Sequence, residues 1–160
     1  MIKYVTAIAI LAITAGTTAS AEEISTWGAA GGWAILVDPD AGNGCLMEKH
    51  FDDGSLVQIG AVPIREGGFF AAYNPEWTDI EDGATGTIKF DFPDIRFSGD
   101  VVGVANEGLF GGYAFFDNPN VPMEFARRNQ MTVIGSSGRT VEISLAGTAK
   151  AIQAVKACQA

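Results

Sequence analysis

The chain has 160 residues, 48% of them hydrophobic, and a net charge of −9. That length suits one domain with one real core. So acidic a surface repels phosphate backbones and anionic lipid, so nucleic-acid binding is not expected.

Met1-Ile2-Lys3 opens the chain with positive charge, and an apolar run rich in Ala and Ile follows to Ala15. Ala19-Ser20-Ala21 then places small residues at the −3 and −1 positions of a cleavage site. This pattern predicts a signal peptide over 1–21, cleaved after Ala21, and a periplasmic or secreted mature protein. The apolar run is too short to span a bilayer, so no membrane insertion is expected. The remaining single domain, 22–160, loses Lys3 and carries 9 basic against 19 acidic residues, a net charge of −10.

Trp33 to Val37 reads as a strand, 38–44 as a turn and Cys45 to Phe51 as the returning strand. Leu56 to Ile64 and Phe69 to Tyr73 continue a meander, with turns at 52–54 and 65–68. The polar connection 74–83 holds Trp77 and Ile80, expected as plugs at one end of the core. Ile88, Phe90 and Phe92 alternate with Lys89 and Asp91, and Ile95 and Phe97 follow after a turn. Val101 to Ala105 and Tyr113 to Phe116 are further strands. Asn120 is placed to cap a short helix near 121–129. Met131 to Ile134 and Thr140 to Leu145 flank a Gly-Ser turn and read as a hairpin. In a terminal helix near 148–158, Ala151, Val155 and Cys158 share one face. The glycines are assigned mostly to turns. The whole predicts an all-β fold, a mainly antiparallel sandwich or barrel of eight to ten strands, with two short helices.

Cys45 and Cys158 are the two cysteines. An even count in an oxidising compartment predicts a disulfide, here closing a loop of more than 100 residues.

The patterns of catalysis and of cofactor or metal binding are missing. His50, the single histidine, sits between Glu48 and Asp52 on what reads as a solvated face, with no nucleophile elbow to serve. The segment Asp38-Pro39-Asp40-Ala41-Gly42-Asn43-Gly44 departs from a calcium loop, having Gly42, Asn43 and Lys49 where a ligand, Gly and Glu are needed. Glycines 108, 111 and 112 precede no helix, so no phosphate cradle forms. The acidic sets Asp52-Asp53, Glu81-Asp82 and Asp91/Asp94 lie at turns, where Asp is common for backbone reasons. Convergence of two carboxyls among Asp52, Asp79, Glu81, Asp91 and Asp100 in a pocket would mark a small hydrolase. No cofactor, metal or catalytic residue is assigned.

Phe69-Phe70 and Phe115-Phe116 are adjacent pairs, so one ring of each faces opposite to its neighbour. With Trp77, these residues are the candidate binding surface. The expected function is a non-catalytic exported binding or interaction module, its partner a protein, glycan or small molecule.

Trp33-Ala34-Ile35, Cys45-Leu46-Met47, Asp82-Gly83 and above all the run Val141 to Ile152 resemble the invasion-associated locus B-like family of small exported bacterial proteins. The resemblance implies an exported β-rich domain without known catalytic residues.

Overall fold

The computed structural model describes residues 23–63, 67–106, 108–118 and 120–160. The predicted signal peptide lies outside them. The elements are β1 (Ser25–Ala30), β2 (Trp33–Asp38), β3 (Gly44–His50), β4 (Leu56–Ala61), β5 (Gly68–Asn74), β6 (Thr85–Asp91), β7 (Arg96–Asn106), β8 (Leu109–Phe116), α1 (Asn120–Arg127), β9 (Gln130–Ile134), β10 (Thr140–Ser144) and α2 (Thr148–Gln159).

The strands form one antiparallel sheet in the order β1-β2-β3-β4-β5-β8-β7-β6-β9-β10. A meander runs from β1 to β5. Residues 75–84 then carry the chain past two strand positions, which β8 and β7 fill on the way back. The pairing is that of an open sheet, and no ladder joins β1 to β10 among the described residues. The two edges nevertheless come together: Trp33 Nε1, at the start of β2, donates to the Ala146 carbonyl just past β10, at 3.0 Å. A sheet whose ends meet in this way is strongly curled, as the twist of long antiparallel sheets favours.

The inner face holds the main core. Trp33, Ile35, Met47, Val57, Phe70, Phe90, Met131, Ile143 and Leu145 pack there with Val121 and Phe125 of α1 and Ala151 and Val155 of α2. Phe125 is fully buried, and its ring lies about 6 Å from those of Phe70, Phe90, Phe92 and Phe116. Glu124 is buried beside it, held by Arg127 and by Arg128, which also pairs with Asp94. Asn118, rather than the expected Asn120, supplies the side-chain oxygen at the start of α1, accepting from the Asn120 N–H at 2.9 Å.

Cys45 and Cys158 form the disulfide, with a Cα separation of 6.1 Å. It ties the last turn of α2 to the start of β3. Gln159 Oε1 reinforces the tie by accepting from the Cys45 N–H at 2.8 Å. Thr148, at the other end of α2, is buried and donates its hydroxyl to the carbonyls of Leu145 and Phe125.

Three further expectations are corrected. Ser25–Ala30 is a strand that the alternation did not reveal: it is largely exposed, and a bulge between Thr26 and Gly28 breaks its period at Trp27. The glycines are not confined to turns. Gly60, Gly86, Gly99, Gly103, Gly111 and Gly112 lie inside strands. The strand read as Leu56 to Ile64 ends at Ala61, and Ile64 lies outside the described residues.

Candidate functional site

The strand glycines shape both faces of the sheet. On the outer face, Phe69 lies flat across Gly60, where a Cβ would overlap its ring. Its ring stacks on Tyr113 at 5.2 Å, beside Leu46 and Ala71. The glycine lets the aromatic cover the sheet without a second layer, and Phe69 is only 6% exposed. Tyr73 joins this cluster, and burial, helped by nearby Tyr113, raises its phenol above the usual value. Of the five expected surface residues, Phe69 and Phe115 belong to this outer cluster and Phe70 and Phe116 to the inner one. Phe70 is fully buried, so it is removed from the candidate surface.

On the inner face, small residues line a hollow. Ala72 of β5 pairs with Gly112 of β8, and Gly112 with Gly103 of β7, so three adjacent strands present Ala or Gly in one row. Gly86 of β6 and Gly135 after β9 continue the lining. Ile88, Val101, Val133, Val141 and Ile143 form its apolar walls. The resulting cavity measures about 140 Å³. An apolar hollow of about this size matches a benzene-sized guest.

Two segments form the rim. One is the connection 75–84, held by local bonds: Asn74 Oδ1 accepts from the Glu76 N–H, and Ile80 N–H donates to the Trp77 carbonyl. Gly83 N–H donates to Gly103 O, and Gly103 N–H to Ala84 O, which fixes the connection to β7. It contributes Trp77, Ile80 and Ala84. The other segment is the β9–β10 turn, closed by Gly135 N–H donating to Arg139 O at 2.8 Å. It contributes Ser136, Ser137 and Arg139. The Arg139 guanidinium lies 5.7 Å from the Trp77 ring centre and pairs with Asp79, so cation–π and ionic contacts join the two segments across the opening. The hydrogen bond from Arg139 holds the Asp79 carboxyl below the usual carboxylate range.

Trp77 is the one residue of the expected surface that lines this cavity. Arg139 and the glycine row were missed. The available signal was Gly86-x-Ile88-x-Phe90 and Gly112-x-Ala114-x-Phe116, in which glycine takes an inward position of an alternating strand.

No two of Asp52, Asp79, Glu81, Asp91 and Asp100 converge in one pocket. Asp53 Oδ1 accepts from the Ser55 N–H and Asp82 Oδ1 from the Ala105 N–H. Asp91 pairs with Arg96 and Asp94 with Arg128, and the hydrogen bonds from these arginines lower both carboxyls. Asp52, Glu81 and Asp100 are exposed. A depression of about 260 Å³ does collect Asp52, Asp53 and Glu142 beside Phe51 and Ile143. Among the described residues no group of three His, Cys, Asp or Glu is placed to hold a metal ion. His50 is exposed and sits 3.5 Å from Glu48. Among the described residues no helix is long and apolar enough to cross a membrane. A hollow of about 460 Å³ beside α2 has Ala61 and Gly67 in its rim, which flank residues outside the described set.

No family model, curated protein or solved structure matches the chain.

Proposed function

We propose that the chain is an exported, non-catalytic binding module of the invasion-associated locus B-like kind, and that it holds a small apolar molecule in the cavity between β5 and β10. In this reading residues 1–21 direct export, and the curled sheet acts as an incompletely closed barrel whose mouth lies under Trp77 and Arg139. The observation that carries the reading is the cavity of about 140 Å³, walled by Ile88, Val101, Val133, Val141 and Ile143. A registered row of small residues, Ala72, Gly112 and Gly103, contributes to its lining. A core that evolved only to pack would fill such a hollow, because unfilled apolar volume costs stability.

The carboxylate geometry favours binding over hydrolysis. A general acid needs a raised pKa in a cleft, whereas Asp79, Asp91 and Asp94 are lowered by their arginines.

The test is titration with benzyl alcohol, followed through the ¹³C-labelled methyl groups of the mature protein. The methyl signals of Ile88, Val133 and Ile143 should move in a saturable way. Ala72→Leu fills the hollow from β5 and should abolish the response. Val141→Phe does so from β10 and serves if the first variant folds poorly. A linear response, or one unchanged in both variants, would overturn the reading.

A further inference from the structure

Among the described residues, the lining of the cavity carries one charged side chain, Arg139, beside Ala, Gly, Val, Ile, Trp, Ser and Thr. Resting on the cavity reading above, we propose that the site selects compact apolar monocarboxylates, the carboxylate being received by Arg139 at the mouth and the apolar body by the walls behind it.

The state of Arg139 carries the inference. A guanidinium offers five N–H donors in a planar fork that matches a carboxylate. Among the described residues Arg139 uses one of its nitrogens, Nη2, on one Asp79 oxygen. Its remaining donors have no protein acceptor there. The Trp77 ring holds the guanidinium over the opening. Asp79 has its side chain 57% exposed, so it can give up Arg139 to water without leaving a buried charge behind. A ligand carboxylate therefore meets an oriented, partly vacant fork at the edge of an apolar hollow, the arrangement that charge-assisted recognition needs.

Size and charge narrow the class. A cavity of about 140 Å³ takes one ring or a short branched chain. Among the described residues the other arginines near acidic groups, Arg96, Arg127 and Arg128, are paired away from the cavity. A second ligand carboxylate would have no cation and would face a chain of net charge −9. One acidic head on one compact apolar body fits.

Benzoate and benzyl alcohol are near-isosteric probes that separate head from body. The full mature protein is titrated with each, by calorimetry or methyl NMR. Benzoate should bind about tenfold more tightly than benzyl alcohol, as expected for one charge-assisted pair. Arg139→Gln should remove that advantage, weakening benzoate more than benzyl alcohol. Asp79→Ala frees the fork and should tighten benzoate alone. Binding of benzyl alcohol with equal or weaker binding of benzoate would overturn this inference and leave the cavity reading standing. Equal weakening of both probes by Arg139→Gln would also overturn it, making Arg139 a brace of the rim. Failure of both probes in the unaltered protein would overturn the cavity reading itself.

Discussion

Gly31 and Gly147 meet backbone to backbone. Gly31 lies in the β1–β2 turn and Gly147 just before α2, and a Cβ on either would overlap the carbonyl oxygen of the other. Both have positive φ, 62° and 83°. The contact lies next to the bond from Trp33 to Ala146, so it joins the two ends of the curled sheet. Gly147→Ala should therefore cost about 3 kcal/mol or more, from left-handed strain plus collision. Gly32→Ala, with φ 82° but open space around it, should cost only about 1 kcal/mol. Urea denaturation of the two variants separates these values.

Phe125 is the second point where the fold is concentrated. It is fully buried and its ring lies against four other phenylalanines, so Phe125→Ala should cost about 3–5 kcal/mol. Exposed Met123, on the same helix, should change to Ala at a cost within about 0.5 kcal/mol. Thermal melts of both variants check the contrast.

The Cys45–Cys158 bridge closes a separation of 113 residues, for which chain entropy gives about 4–5 kcal/mol. The paired variant Cys45→Ala/Cys158→Ala should melt lower, and its first loss of amide protection should appear in the last turn of α2. Hydrogen exchange that stays uniform across α2 and β3 would contradict that order.

How much of this was legible in the sequence depended on the kind of signal. The strand alternation at Ile88, Phe90 and Phe92, the apolar face of α2 and the cysteine pair are local or countable, and each could be read directly. The placement of β8 beside β5 was not, because pairing across residues 75–84 depends on long-range packing rather than on local preference. The cavity was hidden for a different reason. Its lining, Gly86, Gly103 and Gly112 included, comes from segments far apart in sequence, and a glycine with no partner in view reads as a turn. Arg139 likewise looked like a hairpin residue until folding brought Asp79 and Trp77 against it.

Acid should weaken the fold through Asp79, Asp91 and Asp94. Each carboxyl is lowered in the folded state by a hydrogen bond from Arg139, Arg96 or Arg128. In the window below the unfolded pKa the unfolded chain binds more protons. The contribution is therefore present above that pKa and is lost as pH falls through the folded value. Urea midpoints should fall between about pH 4 and pH 2. Asp94→Asn should flatten that slope slightly, the effect staying small because the pair is exposed.

The central claim, that the hollow inside the curled sheet receives a ligand, is tested most directly by locating a bound probe. An isotope-filtered NOE experiment on the mature protein with benzyl alcohol reads contacts from the probe's ring protons to individual methyl groups. Contacts to Ile88, Val133 and Ile143, absent in Ala72→Leu, are the predicted result. Contacts confined to Leu36 and Leu46 on the outer face, or none at saturating probe, would contradict the account.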